Sequence, residues 1–310
     1  MHVFRRPRPG VQAVPSGCVA TIGVFDGVHL GHQRILGRVL EEAARLGVPS
    51  LVFSFEPTPQ EVMSPRQAPA RLMRLREKVL VLEDAGIDHL YCPPFARALQ
   101  EMEPGEFIER LLVRTLGVKH LVVGDDFRFA RGRAGQFEHL AAGGRQHGFG
   151  AEQVGSVTSG DLRVSSTAIR SALAAGDLAT AGRLLGRPYR MAGRVSRGRQ
   201  LGRQLGFPTA NMRLHRRVSP VSGIFAVRVH GVATRALDAV ASVGTRPTVD
   251  GVEPLLEVHV FDFTGDLYGR QIAVDFVARL RDEVRFDDLE ALRRQMERDA
   301  AEARRALATN

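Results

Sequence analysis

The sequence predicts an α/β domain followed by an antiparallel β domain, and three observations carry that prediction. The first half alternates short, apolar, β-branched runs with longer segments of helical periodicity. From Tyr189 to Val277 the pattern changes to short alternating runs broken by Gly and Pro. The length, 310 residues, suits two domains of roughly 100–200 residues each. Strands alternating with helices imply a parallel sheet with helices on its faces. Ligands of such sheets bind beyond the carboxyl ends of the strands. Short alternating strands with frequent turns imply a barrel or a sandwich.

Each element follows from its residues. Cys18–Val24 (CVATIGV) reads as a buried strand. Leu30–Leu46 carries an apolar stripe at Leu30, Ile35, Leu36, Val39, Leu40, Ala43 and Leu46, and Gly47 marks its C-terminal stop. Leu51–Phe55 reads as a second strand and Leu121–Val123 as part of a third, with helices over Arg71–Ala85 and Gly105–Leu116 between them. Helices near Thr167–Ala175 and Leu178–Leu185 close the first domain, which places the boundary near Gly186 and the domains at 1–185 and 186–310. Beyond it, Ile224–His230, Leu255–Phe261 and Gln271–Val277 read as strands, separated by turn signals such as Asp250-Gly251 and Thr264-Gly265-Asp266. Asp287–Leu307 has helical spacing and closes the chain with a helix.

Composition excludes several classes. Of 43 basic residues only Lys78 and Lys119 are lysine. Neither follows a glycine, so no Walker A loop is present, and bound phosphate must be held by backbone N–H groups, arginine, histidine or a metal. Two cysteines, Cys18 and Cys92, with no CxxC pair, argue against a disulfide scaffold and a structural zinc site. They suit a reducing cytoplasm. The basic start MHVFRRPRPG lacks a signal-type apolar stretch, and no apolar run is long enough to span a membrane. The net charge of +9 calls for an anionic partner. Nine arginines fall between Arg187 and Arg217, and no acidic residue lies from Leu178 to Leu237. That stretch is either a polyanion site or a solvated basic face. Aromatic residues make up 6% and tryptophan is absent, too few for the stacking platforms of single-strand binding. Of the two anionic partners that the charge allows, a nucleic acid or a phosphorylated small molecule, the second is expected, with neither a nucleic-acid nor a membrane partner.

Gly23–Gln33 (GVFDGVHLGHQ) directly follows the first strand and opens the first long helix. Gly23, Gly27 and Gly31 allow close backbone approach to a ligand. His29 and His32 are three residues apart and face one side of a first helical turn, whose free N–H groups already favour an anion. The second constellation, Gly193–Asn211 (GRVSRGRQLGRQLGFPTAN), has Gly193, Gly198, Gly202 and Gly206 at intervals suited to a flexible loop over phosphates. Thr209 and Asn211 offer hard oxygen ligands for Mg²⁺.

These strings carry a resemblance. His29-Leu-Gly-His32 matches the HxGH signature of the nucleotidylyltransferase superfamily. The longer GVFDGVHLGHQ resembles the opening motif of the bacterial bifunctional riboflavin kinase/FAD synthetase (FMN adenylyltransferase) family. VGDDFRF (Val123–Phe129) is similar to its VGxDFxFG segment, with Ala130 at the last glycine, and VSSTAIR (Val164–Arg170) to its SSTxIR motif. FEPTP (Phe55–Pro59) is similar to FxPHP, with Thr58 where histidine is common. In the second half, GxxxGRxLGFPTAN, GIFAVRV (Gly223–Val229), VGTRPTV (Val243–Val249), EVHVFDFTGDLYG (Glu257–Gly269) and LRDEVRF (Leu280–Phe286) resemble the family's kinase motifs in order.

The resemblance implies a Rossmann-like nucleotidylyltransferase domain and an antiparallel β-barrel kinase domain with a C-terminal helix. It implies ATP and phosphate contacts at Gly23, Phe25, Gly27, Gly31, Ser166 and Thr167. His29 and His32 would stabilise the α-phosphate, Arg170 would clamp the β- and γ-phosphates, and Asp126 and Phe127 would meet the flavin. In the kinase half it implies Gly193, Gly198, Gly202, Arg203 and Pro208 around ATP, Thr209 and Asn211 on Mg²⁺, Arg281 and Glu283 at the flavin, and Glu257 as base. His259 shares a strand face with Glu257 and reads as a structural partner rather than a catalytic group. Riboflavin plus ATP would give FMN, and FMN plus ATP would give FAD and pyrophosphate. The alternative is a riboflavin kinase with a degenerate adenylyltransferase half, for which Thr58 and Ala130 are the suspect positions.

Overall fold

The computed structural model describes residues 1–6, 11–198, 202, 205–248 and 251–309. By its contacts the chain divides into two compact units. One holds Met1–Pro69 and Leu75–Val164, the other Ala70–Arg74 and Ser165–Asn310.

The first unit is built on a six-stranded parallel sheet: β1 (His2–Phe4), β2 (Cys18–Ile22), β3 (Ser50–Phe53), β4 (His89–Tyr91), β5 (Val118–Gly124) and β6 (Gly150–Val154), in spatial order β1-β4-β3-β2-β5-β6. All five residues of β2 are buried, as a run of apolar residues covered on both faces requires. Val19 and Val122 pack on one side with Val39 and Ala43 of helix α1 (Leu30–Leu46). Ala20, Ile22, Phe53 and Leu121 pack on the other with Phe107, Leu112 and Leu116. Chain order runs from β2 outward to β3 and β4, then returns to β5 on β2's other side. The β2/β5 gap is therefore the topological switch point, where open α/β sheets bind ligands.

The second unit is a closed antiparallel barrel of β9 (Tyr189–Ser196), β10 (Ala210–Arg213), β11 (Gly223–His230), β12 (Leu237–Thr248), β13 (Gly251–Val260) and β14 (Gln271–Arg281), in order β10-β13-β12-β11-β14-β9. A two-stranded ribbon, β7 (Thr158–Ser159) with β8 (Leu162–Arg163), belongs to the first unit. Met191, Met212, Phe225, Leu256, Val258 and Phe276 are fully buried in the barrel. The closing helix, Leu289–Ala308, is capped by Asp288, whose Oδ1 accepts the Ala291 N–H. It lays Ala303 and Leu307 near Ala226 and Phe261.

Some elements differ from expectation. The helix expected over Arg71–Ala85 spans Leu75–Asp84, because residues 70–74 are held by the second unit. The Leu72 carbonyl accepts bonds from Tyr189 Oη (3.1 Å) and Arg216 Nη2 (3.2 Å), and Ala70 O accepts Arg170 Nε (2.7 Å). The helices Ser166–Ala174 and Leu178–Leu185 belong by contacts to the barrel unit, the latter lying on β9 and β14. Part of the arginine-rich stretch is engaged within the fold, whereas Arg194, Arg213 and Arg217 are exposed. Arg190 forks onto Asp275 (2.5 and 2.7 Å), Arg216 is buried, and the Arg187 guanidinium is held below its usual pKa, first by burial and then by Arg190.

Candidate active sites

The turn after β2 holds the first site. The Gly23 N–H extends the sheet by donating to Phe53 O (3.0 Å). The chain then passes through Phe25 (φ 51°), Gly27 (φ 91°) and Val28 (φ 41°). A β-branched residue at positive φ is a genuine outlier. Such residues cost about 1–3 kcal/mol each and persist where the surroundings over-determine them. The turn delivers His29 to the N-cap of α1, where its Nδ1 accepts the His32 N–H (3.3 Å). The two rings stack with centroids 3.7 Å apart. Gly31 makes room for this, since a Cβ there would stand 3.2 Å from the His29 ring. Because Nδ1 serves as acceptor, the neutral His29 ring carries its proton on Nε2 as a donor. His32 lies against Phe25 (4.7 Å). Its pKa is held well below the usual value, chiefly by burial, then by the neighbouring His29 and Lys78. Its Nδ1 is buried without a hydrogen bond. Two imidazoles and a helix N-terminus converge, an arrangement suited to an anion.

The loop after β5 flanks the same switch point. Asp125 accepts the Ser156 N–H (2.8 Å) and hydroxyl, and those bonds hold its carboxyl below the usual range. Asp126 is exposed and pairs with Arg163 (2.9 Å), and Phe127 stacks on Phe129 (5.7 Å). Ala130 sits at φ 66°, ψ −172°, a region that glycine alone occupies readily. Thr58 has a local role, its N–H and hydroxyl both reaching Glu61 Oε2 (2.9 Å each).

Ser166, Thr167 and Arg170 lie in the second unit, on the helix Ser166–Ala174. Ser165 caps it, accepting the Ala168 N–H (3.1 Å). Plain capping thus accounts for Ser165, and Arg170 is oriented by its bond to Ala70 O.

The second site is a cavity of about 410 Å³ on the outer face of the barrel. Leu256 and Val258 point inward and are fully buried, so Glu257 and His259 alternate outward into the cavity. In the sheet Glu257 stands between Asn211 on β10 and Ser242 on β12. Asn211 is 4% exposed; its Nδ2 donates to Thr209 O (3.3 Å) and Oγ1 (3.4 Å), while its Oδ1 is buried with no hydrogen bond. A Cβ at Gly198 would stand 2.6 Å from the Asn211 amide, so only glycine lets the backbone close over it. A buried orphan oxygen beside a threonine hydroxyl fits a hard cation. Among the described residues no three His, Cys, Asp or Glu side chains converge on a metal position. A Mg²⁺ here would therefore take few protein ligands, as it commonly does beside phosphates.

Gly202 lines the cavity. Arg203 lies outside the described residues. Gly193 is a correction: it sits inside β9 opposite Ile272, against Met212 Sδ, and belongs to the barrel wall rather than to a loop. Pro208 O is bonded to His259 Nδ1 (2.9 Å), which makes His259 a structural partner of the loop. Arg281 lines the cavity, but its guanidinium is engaged by Asp299 (2.8 and 2.5 Å), which is 4% exposed and also accepts Gln295 Nε2 (2.9 Å). Glu283 lies 3.4 Å from Ser242 Oγ, and partial desolvation raises its pKa. Sequence reasoning did not single out Ser242, Asp299, Met296 or Leu292 as cavity walls, nor Lys78 as a neighbour of His32. For Lys78 a signal existed, namely its rarity in an arginine-rich chain.

Comparison with known proteins bears on both sites. A family model described as FAD synthetase matches residues 11–168, and one described as riboflavin kinase matches residues 185–307. The chain is 50% identical over 289 residues to the bifunctional riboflavin kinase/FMN adenylyltransferase of Pseudomonas fluorescens, covering 93% of this chain and 92% of that one. It is 47% identical over 293 residues to the protein of that name from Escherichia coli (strain K12), with 94% of each covered. A solved structure described as a macrolide-efflux protein from Streptococcus pneumoniae is similar with a TM-score of 0.81 at 30% identity, covering 96% of this chain and 97% of that one. Among the described residues no helix is long and apolar enough to cross a membrane.

Proposed function

The chain belongs to the bifunctional riboflavin kinase/FMN adenylyltransferase family, and from that premise we propose how its residues divide the two reactions. The enzyme phosphorylates riboflavin to FMN with ATP and adenylylates FMN with a second ATP to give FAD and pyrophosphate. The observation that carries this is the match of two different family models, each to the half that holds its own motifs. A kinase with a degenerate first half is not favoured. We assign adenylyl transfer to 1–185 and the kinase to 186–310.

In the kinase half the ribityl 5′-hydroxyl attacks the γ-phosphorus of ATP, the bond to ADP breaks, and Glu257 accepts the hydroxyl proton. Its place between Asn211 and Ser242 on the cavity wall supports this role. Thr209 and Asn211 would hold Mg²⁺, which would supply neutralisation of phosphate charge. Gly198, Gly202 and Pro208 shape the ATP loop, and Arg281 and Glu283 form the flavin wall.

In the adenylyltransferase half an FMN phosphate oxygen attacks the α-phosphorus of ATP, and pyrophosphate leaves with the electron pair. The nucleophile is already an anion, so no base is required. The task is charge stabilisation, for which His29 Nε2–H and His32 are donors beside the α1 N-terminus. Gly23, Phe25, Gly27 and Gly31 shape that turn. Ser166, Thr167 and Arg170 are assigned to the triphosphate, and Asp126 and Phe127 to FMN, on the family resemblance. Two buried, free cysteines suit work in the cytoplasm.

The test is chromatography of products from riboflavin, ATP and Mg²⁺. FMN should appear first and FAD after it. FMN accumulating without FAD, even when FMN is the sole flavin supplied, would leave only the kinase.

A further inference from the structure

Lys78 is one of two lysines among 43 basic residues, and it is 2% exposed. It belongs to the helix Leu75–Asp84. Burying an ammonium is costly unless it is fully bonded. Here Nζ donates to the Val24 carbonyl (2.5 Å) and to Ser54 Oγ (3.0 Å). Ser54, itself fully buried at the end of β3, donates its hydroxyl to the same Val24 carbonyl (3.1 Å). Val24 stands between Gly23, the last residue tied to the sheet, and Phe25, the first residue of the positive-φ turn. One carbonyl at the root of the turn is thus fixed by two buried donors from two other elements.

The turn beyond it needs such fixing. Phe25 and Val28 adopt backbone conformations that an unconstrained chain would leave. They must stay there for His29 to reach the N-cap and stack on His32. An arginine is a poor substitute, because a planar fork cannot converge on one carbonyl and one hydroxyl as a compact ammonium does. The burial and bonding of Nζ also remove Lys78 from any role as a nucleophile.

We propose that Lys78 is a positioning residue for adenylyl transfer, whose ammonium, with Ser54, pins the Val24 carbonyl and so holds the strained turn that presents His29 and His32. This rests on the reading of those histidines as the adenylyl-transfer pair. The Lys78 charge also helps keep the half-buried His32 ring neutral, which leaves it as a neutral hydrogen-bonding group.

The experiment measures FAD formation from FMN, ATP and Mg²⁺ in the full chain, with riboflavin phosphorylation as the internal reference. Lys78→Met keeps the apolar volume and removes the bonds to Val24 and Ser54. We expect kcat for FAD formation to fall about 100-fold, as for a small misplacement of reacting groups, with kinase turnover unchanged. Ser54→Ala, which removes one arm of the brace, should lower kcat about tenfold on the same argument, and it carries the test if Lys78→Met does not fold. Imidazole ¹⁵N spectra supply the signature that a merely stabilising lysine would not move. In the parent chain His29 should be the Nε2–H tautomer, and in Lys78→Met that pattern should become mixed. FAD formation at the parent rate in a folded Lys78→Met or Ser54→Ala chain, or an unchanged His29 tautomer in a slow variant, overturns the proposal. His29→Ala separates the two readings. If it makes FAD at the parent rate, the assignment of the histidines fails, whereas loss in His29→Ala with full activity in the lysine and serine variants sinks only the brace.

Discussion

The Nδ1 of His29 accepts the main-chain N–H of His32 at 3.3 Å, so one histidine both caps a helix and orients its neighbour. The two roles can be separated. Asparagine is among the best N-cap residues, so His29→Asn should keep the helix start and change stability by less than about 0.5 kcal/mol. It lacks the imidazole donor, so FAD formation should drop by about 10²–10³-fold. Urea unfolding and FMN adenylylation on one preparation check both halves.

His32 makes stability depend on pH. The unfolded imidazole takes up a proton near the ordinary histidine value of about 6.5, whereas burial keeps the folded ring neutral well below that. The unfolded state then binds more protons, so stability rises with pH and is lost as pH falls below about 6.5. His32→Gln should flatten this slope. Urea midpoints at several pH values between about 5 and 8 measure it.

Ala130 occupies φ 66°, ψ −172°, where a Cβ costs on the order of 1–3 kcal/mol. Ala130→Gly should therefore stabilise the chain by about 1 kcal/mol, after the entropy cost of glycine is allowed for. A higher denaturant midpoint with an unchanged slope is the expected result. A lower midpoint would mean that the strain is absent.

Gly198 and Asn211 meet where no side chain fits. Gly198→Ala places a Cβ 2.6 Å from the carboxamide, so Asn211 must turn away from its place. Riboflavin phosphorylation should fall by at least about tenfold, while FMN adenylylation is untouched. Steady-state rates for the two half-reactions decide it.

The sequence made some of this legible, and physical causes explain the rest. β2 and α1 declare themselves because an apolar run and a wide apolar stripe are local signals, and the HxGH string marks the turn between them. The His2–Phe4 and His89–Tyr91 strands are three residues each and are fixed by pairing with each other, which no local pattern records. Residues 71–74 look helical, yet bonds from Tyr189 and Arg216 to Leu72 hold them with the barrel. Gly193 looks like loop in the sequence because a glycine series hides the end of β9. Glu257 was recognisable from its motif. The walls opposite it, Leu292, Met296 and Asp299, come from the closing helix, whose apolar stripe reads as ordinary packing. Arg281 was legible as a site residue, but its fixation by Asp299 depends on a helix that starts eight residues further on.

The central claim is that two chemistries reside in two separate residue sets, one around Glu257 and one around His29. The most direct measurement is product chromatography on Glu257→Gln and His29→Ala, each given either riboflavin or FMN with ATP and Mg²⁺. Glu257→Gln should form FMN from riboflavin about 10²–10⁴-fold more slowly while converting supplied FMN to FAD at the parent rate. His29→Ala should carry riboflavin to FMN at the parent rate and stop there. If either folded variant loses both conversions together, or Glu257→Gln blocks FMN adenylylation while sparing the kinase, the division of labour described above is wrong.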